Sequence, residues 1–258
     1  MPEGDAIHHA ADQIREALVG LVPERILTPQ PRHRLDRWPE KLGGRALGEV
    51  DAHGKHLFLR FEGGLTVHSH LRLTGSWEVH REGSPWHRAG RRAWLVLAAG
   101  GWEAVEFNGP VLELMSDRRA RTDPRLADLG PDVIGESFDE GRFLTRLRED
   151  DPTRPIGDAL LNQRTVAGIG NIWKAECCFA AALDPWRATA EVDDAEVLSA
   201  VAFARERMTQ SAREGAPASP RAVYSRAGRP CPRCGSTIRR QGQGDDNRTT
   251  FWCPGCQL

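Results

Sequence analysis

The chain has 258 residues, 40% of them hydrophobic, and a formal net charge of −1: enough for two ordinary domains, and too balanced for a disordered or uniformly basic protein. The longest apolar run, Ala93 to Ala99, is too short to span a bilayer, and acidic and histidine residues interrupt the N-terminal stretch where a signal peptide would lie. Four of the six cysteines form two close pairs, which in a reducing compartment favours metal over disulfides.

The chain opens Met1-Pro2-Glu3-Gly4-Asp5, and a small second residue favours removal of Met1. What remains is a secondary amine beside a carboxylate. A neutral amine attacks an aldehyde-like carbon and forms an iminium, and an unperturbed α-amino group titrates near about pH 8. Ile7, Ala10, Ala11, Ile14 and Leu18 recur at helical spacing. The positive end of that helix disfavours protonation of an amine held beside it, and Glu3 can shuttle protons. Many chains begin Met-Pro merely to start a helix, so the rest of the sequence decides.

The pattern then turns to β. Arg45 to His53, His56 to Phe61, Leu65 to Leu71, Ser76 to His80, Ala93 to Ala99, Trp102 to Phe107 and Val111 to Met115 read as short strands. Glycine pairs and Asn108-Gly109-Pro110 separate them, predicting an antiparallel sandwich or flattened barrel. Lys55, after the turn glycine Gly54, can clamp a phosphate. His70-Leu71-Arg72-Leu73-Thr74-Gly75 is a tight turn with Leu73 near its tip, where an apolar side chain can wedge into a base stack, although a leucine is more often core. His68 and His70 share a strand face without an evident third ligand and read as structural or surface residues.

Asp117 to Asp132 is polar, with Pro124 and Pro131, and reads as a hinge. Helices are predicted over Phe138 to Arg148, Ile156 to Leu161, Asn171 to Ala182 and Asp194 to Arg213, followed by a Pro/Ala/Ser loop from Gly215 to Pro220. Cys177 and Cys178 fall among apolar helical residues as packed thiols. In Asn162 to Asn171 a helix ends, a turn with Gly168 and Gly170 follows, and Asn171 caps a new helix. Amides at such a start favour an anion such as DNA phosphate, although an ordinary helix corner has the same glycines. Arginines crowd Arg205 to Arg240 and predict a phosphate-tracking surface.

Cys231-Pro232-Arg233-Cys234 and Cys253-Pro254-Gly255-Cys256 are separated by eighteen residues. Two such knuckles form a tetrahedral four-thiolate zinc site on a hairpin, structural because no ligand position stays open. Arg248 lies between the knuckles. Asp245 and Asp246 weaken a purely electrostatic role, so it acts through geometry.

In combination, Pro2-Glu3-Gly4, Gly54-Lys55, Gly168-Ile169-Gly170-Asn171 and the terminal Phe251-Trp252-Cys253-Pro254-Gly255-Cys256-Gln257 resemble the formamidopyrimidine-DNA glycosylase/endonuclease VIII family, in order and from end to end. The resemblance implies an α+β multidomain fold. Residues 1–120 would form an N-terminal helix and antiparallel β-sandwich, 121–220 a hinge and helix–two-turns–helix domain, and 221–258 a zinc ribbon with one structural Zn2+. It implies a bifunctional DNA glycosylase/AP lyase of base-excision repair acting on damaged DNA, monomeric, non-membrane, cytoplasmic and nucleoid-associated. Pro2 would be the nucleophile and Glu3 the proton carrier. Lys55, Asn171 and Arg248 would bind phosphates around the flipped nucleotide, with Lys55 and Arg248 counted with the catalytic set, and Leu73 would fill the vacated stack. The Pro2-Glu3-Gly4 start resembles the endonuclease VIII branch. Asn108 to Leu114 lacks the Arg-Phe-Gly loop of the other branch, so oxidised pyrimidines are the expected substrates. Where the family often has a second glutamate this chain has Ala6, which favours the alternative of a DNA-damage binder without turnover.

Overall fold

The computed structural model describes residues 2–215 and 221–258, so most of the expected loop after Gly215 lies outside the described residues, as does Met1. The chain divides into two compact units, one of Pro2 with Ala6–Ala127 and the other of Glu3–Asp5 with Asp128–Leu258.

α1 (Gly4–Leu18), which belongs to the first unit from Ala6 onward, supplies an apolar stripe, with Ile7, Ala11, Ile14 and Leu18 nearly inaccessible to solvent. Eight strands follow: β1 (Arg25–Leu27), β2 (Leu47–His53), β3 (His56–Phe61), β4 (Leu65–His70), β5 (Ser76–Arg81), β6 (Ala93–Ala99), β7 (Trp102–Phe107) and β8 (Val111–Ser116). They form two antiparallel four-stranded sheets, ordered β1-β6-β7-β5 and β2-β3-β4-β8. Alternate residues of both sheets, among them Leu57, Leu59, Val67, Trp77, Leu95 and Leu97, share one core with the α1 stripe. Each such fully buried side chain contributes roughly 1.5–3 kcal/mol.

Three short stretches of this unit escape the sequence pattern. β1 has only three residues and is drawn into the sheet by pairing with Arg25 opposite Ala98. α2 (Trp38–Leu42) follows a 3-10 turn over Pro31–Asp36 and sinks Trp38 and Leu42 into the core. The expected hinge begins as a pair of short helices, α3 (Asp117–Thr122) and α4 (Pro124–Ala127). Ser116 caps α3 by accepting the Arg119 N–H at 3.2 Å, and Pro124 begins α4 where a missing N–H costs nothing.

The second unit is helical. It comprises α5 (Glu140–Glu149), α6 (Ile156–Ala159), α7 (Asn171–Ala180) and α8 (Asp194–Glu214), then the hairpin β9 (Arg239–Gln243) and β10 (Arg248–Trp252). Caps set the boundaries. Asp139 accepts the Arg142 N–H at 2.8 Å, which starts α5 two residues after the expected Phe138. A reciprocal Asp193/Glu196 capping box starts α8, and Gly215 closes it in the left-handed conformation at φ 66°. Cys177 and Cys178 are fully buried in the helical core, as packed thiols should be.

Between the sheets of the first unit lies a carboxyl group, Glu106, which accepts a 2.6 Å hydrogen bond from the Ser69 hydroxyl. Burial pushes Glu106 up to about 8. The folded state therefore keeps a proton that the unfolded chain, near 4.5, gives up, so this group costs stability increasingly as pH rises from 4.5 toward 8. Thermal unfolding of Glu106→Gln should show a stabilisation relative to the parent that grows across that window and is smallest at its acid end. A pH-independent difference contradicts this.

Candidate active site and nucleic-acid interface

The two glycine-bearing motifs near residues 4 and 170 meet in the second unit. The Gly4 N–H donates to the Gly168 carbonyl at 3.0 Å. The buried Glu3 carboxylate accepts from the Gly170, Ile172 and Trp173 N–H groups at 3.0, 2.8 and 3.2 Å. Amides at a helix start are unsatisfied within the helix and carry partial positive charge, so they take an anion. The anion that they hold is Glu3, not the phosphate expected from the turn alone.

The glycines follow from this approach. A Cβ at Gly4 would lie 2.9 Å from Gly168 Cα, and one at Gly170 would overlap the Glu3 carboxylate. Gly168 also has φ 104°, which L side chains resist. Half-buried Pro2 is one peptide bond from this lock. Ala6 is exposed near the start of α1.

The helix cap is Gly170 rather than Asn171, which is the first helical residue. Freed from capping, Asn171 donates through Nδ2 to the Thr249 carbonyl at 2.7 Å. One turn later Lys174, fully buried, donates through Nζ to Thr250 Oγ1 at 2.5 Å, and burial lowers it to about 8. Glu176 accepts from the Ala222, Val223 and Tyr224 N–H groups at 2.8, 3.1 and 2.8 Å. Thus α7 holds both the hairpin and the segment leading to it. Arg248 begins β10, its side chain 43% exposed and bonded to Asp246 Oδ2 at 3.0 and 3.1 Å. Several arginines of the expected phosphate-tracking stretch have structural partners instead: Arg205 donates to the Val133 carbonyl, and Arg233 lies over Phe179 and donates to the Ala180 carbonyl.

In the first unit, Gly54 (φ 57°) and Lys55 form the two-residue turn between His53 and His56, so Lys55 sits at the tip of the β2–β3 hairpin. Beside it His56 Nδ1 and His68 Nε2 lie 2.9 Å apart, and the His56 and His70 ring centroids 4.7 Å apart. Burial lowers His56 to about 2 and, with Arg72 and Lys55 adding to it, His70 to about 4, so these imidazoles are neutral. His70 Nδ1 accepts the Arg72 N–H at 3.1 Å. Leu73, in the turn after β4, is 68% exposed. The core reading of this leucine is therefore wrong.

The four cysteines of the C-terminal hairpin converge, with all sulfurs within 4.8 Å of one another. Cys231 and Cys256 Sγ are 3.8 Å apart and Cys234 and Cys253 Sγ 3.4 Å. Tetrahedral zinc with bonds of about 2.3 Å sets sulfurs about 3.8 Å apart, so the cluster fits one structural Zn2+.

Residues 1–111 match the family model of the formamidopyrimidine-DNA glycosylase N-terminal domain, 129–219 that of its H2TH domain, and 228–258 that of the zinc finger found in FPG and IleRS. The chain is 39% identical to a protein named probable endonuclease 8 2 from Streptomyces coelicolor, covering 100% of this chain and 94% of that one. It is 35% identical to a DNA-(apurinic or apyrimidinic site) lyase Nei2 from Mycolicibacterium smegmatis, covering 100% and 99%. The chain belongs to the formamidopyrimidine-DNA glycosylase/endonuclease VIII family. The Lactococcus lactis Fpg crystal structure, in complex with DNA containing N7-benzyl-Fapy-dG, shares the fold at a TM-score of 0.84, with 23% identity over 100% of both chains.

Sequence reasoning did not single out three polar residues that neighbour predicted ones in the fold: Lys174 and Glu176 on α7 with Asn171, and His56 next to Lys55. Lys174 had one signal, as one of only three lysines in an arginine-rich chain. Nothing in the local pattern marks Glu176 or His56.

Gly170→Ala should force Glu3 off the amides and leave buried N–H groups unsatisfied, at a cost of about 1–3 kcal/mol. Chemical denaturation measures this, and an unchanged midpoint would remove the lock from the stability of the second unit.

Proposed function

We propose that this chain excises oxidised pyrimidines from DNA as a bifunctional glycosylase/AP lyase of base-excision repair, with the imino nitrogen of Pro2 as its nucleophile. The observation that carries the reading is the Glu3 carboxylate seated on the amides at the start of α7, next in sequence to Pro2. N–H donors favour the ionised carboxylate, so its resting role is to accept a proton.

The target base is extruded from the duplex at a cost of roughly a few kcal/mol, least for a damaged pair. Leu73 fills the gap, and its exposure in a turn suits a wedge. Lys55, Asn171 and Arg248 hold the flanking phosphates. The Pro2 nitrogen then attacks C1′, the glycosidic bond breaks, and the base leaves with the bonding pair and takes a proton. Glu3 accepts the proton from the Pro2 nitrogen and delivers it to the ring oxygen as the sugar opens to an iminium. Loss of the C2′ proton expels the 3′ phosphate, and a second elimination expels the 5′ phosphate. Zinc, when bound by the four cysteines, supplies a fold for the hairpin and no chemistry.

The pyrimidine preference rests on the Pro2-Glu3-Gly4 start and on Asn108 to Leu114, which lacks the Arg-Phe-Gly loop. In functional terms residues 1–120 carry the nucleophile and wedge, 121–220 the helix–two-turns–helix, and 221–258 the ribbon. No helix among the described residues is long and apolar enough to cross a membrane. The protein acts as a monomer on the nucleoid in the cytoplasm. Ala6 favours the second reading, a damage binder without turnover.

Borohydride reduction with abasic duplex separates the two. The enzyme gives a covalent adduct that a retained Met1, checked by intact mass, abolishes, whereas binding without an adduct leaves the binder. Parallel cleavage of 5-hydroxyuracil and 8-oxoguanine duplexes tests the preference, and faster cleavage of the latter overturns it.

Arg248 must release Asp246 to hold a phosphate. An exposed pair of this kind contributes about 0.2–1 kcal/mol, so Asp246→Ala should tighten DNA binding up to about five-fold at fixed salt. Arg248→Ala should weaken it for every sequence. Weaker binding by the aspartate variant would contradict the role of Arg248.

A further inference from the structure

β5 is an edge strand of its sheet, and its Trp77 and Val79 turn into the core. Glu78 and His80 therefore share the opposite face, since side chains alternate along a strand. The loop after β5 brings His87 to the same face. Glu78 Oε2 lies 3.2 Å from His80 Nε2 and 3.5 Å from His87 Nδ1, and the three ligand atoms fall within 4.8 Å of one another. Arg88 Nε donates to the other carboxylate oxygen, Oε1, at 3.0 Å. That bond fixes the carboxylate plane and leaves Oε2 turned toward both imidazoles.

A histidine–carboxylate hydrogen bond accounts for the shorter separation. It does not account for the longer one, which exceeds the usual N–H···O range of about 2.7–3.2 Å. A cation with tetrahedral bonds of about 2.0–2.1 Å holds neighbouring N and O donors about 3.3 Å apart. The two separations lie on either side of that value. Two of the three donors stand on one rigid strand, with Glu78 and His80 side chains only 17% and 9% exposed. The site is thus largely assembled, and only the loop histidine has to settle.

We propose that Glu78, His80 and His87 form a second metal site, which takes a divalent transition cation such as Zn2+ and is independent of the four-cysteine cluster and of the DNA reading. Two imidazoles and one carboxylate suit zinc, nickel or copper, and three protein ligands leave a position for water. Bound metal ties the loop after β5 back onto its strand. The site contributes no thiolate, so its spectrum differs from that of the cysteine cluster.

Full-length protein equilibrated with excess Co2+ and then desalted should hold two equivalents of metal per chain. The second should add weak visible absorption without new sulfur-to-metal charge transfer. His87→Ala and Glu78→Gln should each hold one. Since the His87 side chain is 81% exposed, its removal leaves no cavity, and abasic-site trapping by that variant should match the parent. A single equivalent in the parent, or a second equivalent that survives either substitution, overturns the proposal.

Discussion

A carboxylate buried without donors costs several kcal/mol, and the second unit removes that cost for Glu3 with three amides at the start of α7. Most of the sequence constraints near the site follow from this one contact. Gly4 and Gly168 allow the two backbones to touch, and Gly170 leaves room for the carboxylate. The helix start is consequently engaged from within the protein. On the proposed function, phosphate recognition falls to side chains: an amide at Asn171 and a guanidinium at Arg248.

α7 is the common support of its unit. Its N-terminus holds Glu3, Trp173 and Cys177 enter the helical core, and Ala175 and Phe179 pack with Val223, Ile238 and the cysteine hairpin. Asn171, Lys174 and Glu176 add polar ties to β10 and to the segment before it. Buried Lys174 and Glu176 need partners at fixed positions, which ties the hairpin to the helix in one register. The Arg248 strand is thereby fixed relative to Asn171, while the guanidinium itself stays exposed and able to exchange partners.

The first unit follows a different plan. Its two sheets are stabilised by apolar alternation and one shared core, and the residues proposed to meet DNA sit on turns at strand ends, Lys55 after β2 and Leu73 after β4. The Lys55 turn joins two paired strands, whereas the Leu73 turn crosses from one sheet to the other, so each side chain is placed by strand ends rather than by a buried network. The histidines beside Lys55 are kept neutral by burial and by nearby cations, so the local positive charge comes from Lys55 and Arg72. On the proposed mechanism, the nucleophile is next in sequence to a buried internal anion and the wedge stands on an exposed turn.

Elements with strong periodicity or paired turn residues could be read directly from the chain: α1, the longer strands, α8 and the four-cysteine cluster. Local spacing alone fixes which face is apolar and which sulfurs can meet, so these readings needed no tertiary knowledge. β1, α2, α3 and α4 could not be read, because a three-residue strand and helices of four to six residues span fewer than two periods and owe their conformation to partners. The sequence also marked Glu3, Gly170 and Asn171, yet it could not say that the first sits on the amides of the second while the third reaches toward Thr249. Those assignments join residues more than 70 positions apart, and long-range pairing is decided by packing and by the demand that every buried charge find a donor.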